Sequence, residues 1–383
     1  MSKEKESNII TPLYSTFTLV GKPILPRSGG LVKDIITDKG LTSKINFGIK
    51  TSDTNIVYVE MLAFTAKKGK QIIYTLDTDN KKIEIDFFER LSKNIIDKVA
   101  DFKKFKIQVA SEKKEFISEF DAINELRNLD KDTDYLVQGD IRFEPFFSEK
   151  LQETFILTKY VIRNVTALLD TDEITPKAKA YVEFVYDKDG VDESNFKNDK
   201  KIYYNVKVTS YNKDLKKNIF VPLQLVFNAE KVNFEVEKEK KAFAFIRDIL
   251  AIKDKKYYAF QVECNILKGV SKSDITYEDL TKLEKQEIDY GIKTLEEISK
   301  QKNSSVGGNK INELRIIRRG GKNIYDNGKI LTDYTDIDFI IPETISKREK
   351  LEVLEEEDIK PPFMIDPEDD KDLNLDDLFG ENN

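Results

Sequence analysis

The chain has 383 residues, with 63 Lys and Arg against 70 Asp and Glu, a net charge of −7, one Cys and no His. The missing imidazole excludes a Ser-His-Asp or Cys-His enzyme and, with a single thiol, a structural zinc site. No apolar run approaches the roughly 20 residues that cross a bilayer.

The charge is unevenly placed. Glu352 to Asn383 carry thirteen acidic and two basic residues, −11, which leaves the body before them at +4. A mildly cationic body with an anionic end is compatible with a polyanion as ligand, despite the acidic total.

In chain order, MSKEKESNII has basic residues but no apolar segment behind them, so it predicts no secretory signal and a cytoplasmic location. STFTLVGKPIL reads as a first strand. SKINFGIKTSDTNIVYVEMLAF (Ser43 to Phe64) reads as a hairpin: Ile45, Phe47 and Ile49 alternate on one face, TSDTN turns, and Val57, Val59 and Met61 return. IDFFERLSKNIIDKVADF and KEFISEFDAINELRNL read as helices of an inserted segment. YLVQGDIRF is a fourth strand, FEPFF a loop carrying rings, and ETFILTKYVIRNVTAL a closing strand.

The plan then repeats. KAYVEFVYD is a strand, and KIYYNVKVTSYNKDLKKNIFVPLQLVF (Lys201 to Phe227) is a second hairpin with Tyr204, Val206 and Val208 answered by Val221, Leu223 and Leu225. KKAFAFIRDILAI places Phe243, Ile246, Ile249 and Leu250 on one helical face. YYAFQVECNIL is a strand, DITYEDLTKLEKQEIDYGIKTLEEISKQK one long helix, and INELRIIRR a closing strand. GGKNIYDNGKILTDYTDIDFIIPE reads as a short hairpin, and TISKREKLEVLEEED as a helix with a capping box at Ser346 and Glu349. Pro361 and Pro362 break any helix.

Strand, hairpin, helix, strand, strand, met twice, predicts a mainly β chain with inserted helices (α+β): two tandem OB-like five-stranded barrels. The predicted borders are 1–170 and 171–342 for the barrels, 343–360 for a short helix and 361–383 for a disordered acidic tail.

Basic residues collect at the turns: Lys67, Lys68 and Lys70; Lys213, Lys216 and Lys217; Arg318, Arg319 and Lys322. Solubility alone would place many there, but clusters at equivalent points of both copies suit a phosphate backbone lying across strands two and three. Rings fall on the faces opposite the core residues. Tyr203, Lys207 and Tyr211 oppose Tyr204, Val206 and Val208, Tyr58 and Phe64 oppose Val57, Val59 and Met61, and Phe143 and Phe146 sit in FEPFF. Such rings either pack on the inserted helices or offer bases a stacking surface worth about 1–3 kcal/mol each.

Asp336 and Asp338 in DYTDIDF could hold magnesium, and Asp187, Asp189 and Asp192 resemble a fragment of a calcium loop. Neither has the remainder of its motif, so turn and edge-strand roles are expected. SSVGGNK lacks the phosphate-loop spacing. Cys264, in an apolar alternation, reads as a buried small hydrophobe. No metal or cofactor is predicted.

The terminal DPEDDKDLNLDDLFGENN, behind one or two barrels, resembles the single-stranded DNA-binding proteins of bacteria and their phages. The resemblance implies a non-enzymatic protein of DNA replication, recombination or repair that holds single-stranded DNA. It further implies a tail that competes with DNA, with Asp376, Asp377, Leu378 and Phe379 as the tip that docks replication proteins. In that family the tip is the extreme terminus, whereas here GENN follows Phe379. Two rival readings share the residues: a virion structural or assembly protein, and a carboxylate-metal nuclease.

Overall fold

The computed structural model describes residues 10–26, 30–69, 71–110, 112–148, 150–169, 174–213, 215–252, 257–270, 277–298, 310–320, 329–331 and 339. They are mainly β. The first half contains β1 (Thr16–Ile24), β2 (Val32–Ile36), β3 (Gly40–Ser52), β4 (Asn55–Ala66), β5 (Ile72–Leu76), β6 (Lys82–Asp86), α1 (Lys93–Ile96), β7 (Phe105–Gln108), β8 (Lys114–Phe116), α2 (Glu119–Leu126), β9 (Tyr135–Ser148) and β10 (Glu153–Ala167). The second contains β11 (Lys177–Tyr186), β12 (Val191–Asp192), α3 (Phe196–Asp199), β13 (Lys201–Asn212), β14 (Lys217–Asn228), α4 (Glu237–Ile249), β15 (Tyr257–Val270), α5 (Lys282–Asp289), β16 (Lys310–Arg319) and β17 (Lys329–Leu331). Among the described residues, those from 10 to 146 and from 155 to 339 belong to one compact unit, and 147, 148 and 150–154 fall outside it.

Both hairpins form where alternation places them. Ile45, Phe47 and Ile49 stand opposite Met61, Val59 and Val57, and all six are buried. Tyr204, Val206 and Val208 stand opposite Leu225, Leu223 and Val221. A one-residue slip would turn each set to water, so burial fixes the register.

Each hairpin belongs to a cycle of five strands. β1 pairs β3, β3 pairs β4, β4 meets β10 in parallel at Glu60 and Val161, β10 pairs β9, and β9 returns to β1. In the second half the cycle runs β11, β13, β14, β16, β15 and back to β11, with β14 and β16 parallel at Val226 and Arg315. α2 and α4 each lie in sequence between the third and fourth strands of their cycle.

The halves share β1. Its residues Thr16–Val20 pair with both β9 and β11, and after Gly21 its partner becomes β3. Around this seam lie buried rings, among them Phe17 edge-on to Tyr160 at 5.4 Å and Phe184, Tyr186 and Phe260 within 6.2 Å of one another. Such pairs add about 0.5–1.5 kcal/mol each beyond area burial. Buried Asn55 ties the β3–β4 turn to β15: its amide donates to the Ile266 carbonyl (2.9 Å) and to Thr51 Oγ1 (2.8 Å), while its oxygen accepts from the Lys268 N–H (2.6 Å). Cys264 is buried, and burial pushes its thiol pKa up.

Three sequence expectations are corrected. FEPFF is no loop, because β9 runs through it to Ser148. IDFFERLSKNIIDKVADF is no single helix. Ile85 is strand, Asp86 caps a short 3-10 turn through the Phe88 N–H, and only the four residues of α1 are helical. This segment packs with the β5–β6 hairpin around Ile85, Val99 and Ile117, a small cluster whose needs override helical propensity. The long helix after residue 274 is also broken: α5 ends at Asp289 and Gly291 takes a φ of 69°, the left-handed value glycine accepts. The predicted 343–360 helix and the tail lie outside the described residues.

Candidate nucleic-acid interface

Residues directly opposite in a ladder share a face. On the outward face of the first hairpin Lys50 stands opposite Ile56, Gly48 opposite Tyr58, Asn46 opposite Glu60, Lys44 opposite Leu62 and Thr42 opposite Phe64. β2 adds Lys33 beside Lys44 and Ile35 beside Thr42. β1 adds Lys22 beside Lys50 and Ile24 beside Gly48. The absent side chain at Gly48 makes room for Ile56, whose Cγ2 would lie 2.7 Å from a Cβ there, and lets the Tyr58 ring lie beside it. Tyr58, Leu62 and Phe64 are 41%, 58% and 58% exposed, so this face presents two rings and an aliphatic side chain to water. The one acid in the middle of this face, Glu60, is answered by Lys44 at 3.5 Å and Lys159 at 3.9 Å. Exposed apolar side chains interleaved with lysines form a surface suited to flat aromatic groups joined by phosphates.

The second hairpin's corresponding face is different. Tyr203 is half-buried, and its hydroxyl donates to Asp199 at 2.9 Å; burial and that carboxylate raise its pKa. Lys207 stands opposite Pro222, and Asn205 is bonded by Gln224. Thr209 Oγ1 accepts from the Leu13 N–H at 2.8 Å and donates to the Leu13 carbonyl, while Asn218 donates to the Ile10 carbonyl. Phe220, opposite Thr209, is buried in a cluster with Ile10, Val185, Ala259 and Phe339. The Phe339 ring stacks 4.6 Å from Phe220 and 4.0 Å from Tyr257. Part of this face is therefore covered by the chain itself. Tyr211 alone among its predicted rings is well exposed, at 59%.

Of the remaining predicted residues, Lys67 and Lys68 are exposed just past the end of β4, and Lys213, Lys216 and Lys217 are exposed at the β13–β14 turn. Phe143 is only 3% exposed: it is core, and no base can stack on it. Phe146 is half-buried in β9. Arg318 is pinned by Glu263, which is 1% exposed and also bound by Lys179 and the Tyr181 hydroxyl. Burial would raise the Glu263 pKa, but the hydrogen bonds from Lys179 and Arg318 hold it below the usual value. Arg318 and Arg319 also line a cavity of about 350 Å³ with Phe245, Ile246 and Leu250. Lys70, Lys322, Asp336, Asp338 and the tail residues Asp376, Asp377, Leu378 and Phe379 lie outside the described residues.

Asp187 accepts from the Asp189 and Gly190 N–H groups and Asp192 from Ser194, so both carboxylates serve turns. Among the described residues no cluster of Asp, Glu and Cys is arranged to hold a metal, and no helix is long and apolar enough to cross a membrane. Sequence reading missed Lys22, Lys44, Lys50 and Leu62. Only the ladder register, with Leu62 two residues from Phe64 on the same strand face, brings them to the rings.

No family model matches the chain, and no curated protein matches it either. Among solved structures it is similar to the wild-type single-stranded DNA binding protein from Thermus aquaticus, with a TM-score of 0.30, 7% identity, and 67% of this chain and 87% of that one covered. A deletion mutant of the same protein gives 0.29 and 8%, covering 68% and 89%.

Proposed function

We propose that this protein binds single-stranded DNA with little dependence on sequence and catalyses no reaction on it. The observation that carries this is the outward face of β3 and β4, where Tyr58 and Phe64 stand exposed among Lys22, Lys33, Lys44 and Lys50. Rings supply stacking that any base accepts, and lysines supply the phosphate term. On this reading each five-stranded cycle is a small OB-type barrel, with borders at 1–170 and 171–342. The pairing order and the helix between third and fourth strands support it.

A place in DNA replication or recombination, and a tail over 361–383 that competes with DNA and docks partner proteins through Asp376, Asp377, Leu378 and Phe379, belong to the same proposal. Their support is the −11 charge of the terminal segment against a cationic body. A tethered anion acts at high effective concentration on any cationic groove it reaches.

Titration with oligo-dT at two salt concentrations, read by tyrosine fluorescence, tests the core of the proposal. Quenching with an affinity that falls as salt rises is expected, and no binding at low salt would reject it. Removing residues 361–383 should tighten binding at low salt. An unchanged or weaker affinity would reject competition by the tail while leaving the binding face intact.

A further inference from the structure

We propose that the phosphate backbone of the bound strand leaves the β3–β4 face along β1 and crosses onto the seam between the two halves, on cations that neither hairpin supplies. This rests on the single-stranded DNA reading above and says where the strand goes next.

The argument is one of register. Along β1 the residues Thr16, Thr18, Val20, Lys22 and Ile24 alternate with Phe17 and Leu19 and so share the face away from them, on which Thr16 and Lys22 are exposed, Thr18 and Ile24 half-buried and Val20 buried at 4%. Ile24 lies beside Gly48 and Tyr58, and Lys22 beside Lys50. Val20 pairs with Lys177, Thr18 with Lys179, and Thr16 with Tyr181. Tyr181 in turn stands opposite Glu263, and Glu263 opposite Arg318. Lys22, Lys50, Lys177, Lys179 and Arg318 therefore lie on one continuous sheet face that begins at the exposed rings. At about 3.3 Å per residue, the six steps from Ile24 to Thr18 span about 20 Å.

The far end is preorganised. Buried Glu263 holds Lys179 and Arg318 together, two cations on one carboxylate, which fixes an excess positive charge at the surface. The Arg318 side chain remains 66% exposed. Lys22 and Lys177 are exposed outright. Thr16 and Thr18, between the cations and partly or fully exposed, add hydroxyls that can donate to phosphate oxygens. The second hairpin, meanwhile, has part of its own outward face under Ile10, Leu13 and Phe339. The second half thus contributes through β11, β15 and β16, phosphate contacts without bases.

The test compares salt dependence. Each phosphate contact on a single strand contributes about 0.7 to the slope of log affinity against log salt. The Lys22→Ala, Lys177→Ala, Lys179→Ala triple variant should lower the magnitude of the oligo-dT slope by about 2. The matched triple Lys238→Ala, Lys240→Ala, Lys241→Ala on exposed α4 should leave it unchanged, and replacing the three track lysines by Arg should restore it. Tyr58→Ala should weaken binding at an unaltered slope. A wild type that binds and a track triple with the wild-type slope would overturn this inference alone. A wild type that fails to bind would overturn the single-stranded DNA reading beneath it.

Discussion

The two hairpins share a plan and differ in what covers their outward faces. On β3 and β4, Tyr58, Leu62 and Phe64 stand 41–58% exposed. On β13 and β14, Phe220 at the matching kind of position is buried in a cluster with Phe339 and Ile10, and Thr209 Oγ1 accepts from the Leu13 N–H and donates to the Leu13 carbonyl. On the proposed reading, one plan met twice keeps its interior while one outward face is left for a ligand and the other is taken by the chain itself. What separates them is not the strand but what lies on top of it.

The largest test of this contrast is on the rings themselves. Tyr58→Ala with Phe64→Ala should cost about thirtyfold or more in oligo-dT affinity, two stacking terms at the low end of their range. Tyr203→Ala with Tyr211→Ala should change it less than threefold in the same titration. Equal losses from the two pairs would end the distinction between the faces.

Next is the cover of the second face. Phe339→Ala empties a site between Phe220 and Tyr257 and should lower unfolding stability by about 3 kcal/mol in a denaturant titration. DNA affinity should stay within twofold. An affinity that rises instead would mean that the Phe339 ring occupies a site a base can enter.

The smallest effect concerns the contact that sets the halves against one another. Lys268, whose N–H bonds Asn55, lies with its ammonium 4.6 Å over the Tyr160 ring, and burial lowers its pKa to about 8 from 10.5. Between those two pH values the unfolded chain binds more protons at this group than the folded chain does, so the group makes stability rise with pH across that window. Lys268→Met should therefore be more stable than wild type below pH 8, by about 1–3 kcal/mol after the ring contact offsets part of the burial cost. The advantage should shrink toward pH 10.5. Parallel stability curves for the two proteins would show that Lys268 is solvated.

The parts legible in the sequence are those with a local period. Ile45, Phe47 and Ile49 against Val57, Val59 and Met61 give the first hairpin and its inward face. Their neighbours Tyr58 and Phe64 then follow as outward rings. The same arithmetic gave Tyr203 and Tyr211, and nothing near them reveals that Ile10 and Leu13, about two hundred residues earlier, cross their sheet. Lys22, Lys177 and Lys179 look like ordinary surface lysines until the β1–β11 register sets them in a row. Phe143 was misplaced because FEPFF carries a proline, a turn signal that β9 absorbs as strand.

β1 is hydrogen-bonded into both five-stranded cycles, and that has a mechanical consequence. Its Thr16–Val20 ladder to β11 joins the first cycle directly to the second, so parting the halves there means breaking backbone hydrogen bonds of a continuous sheet. The spacing of the two halves follows from strand geometry and not from the statistics of a flexible tether. A strand lying across both halves, as proposed, would therefore be held over a fixed length, as against a ruler, where beads on a string would yield to tension.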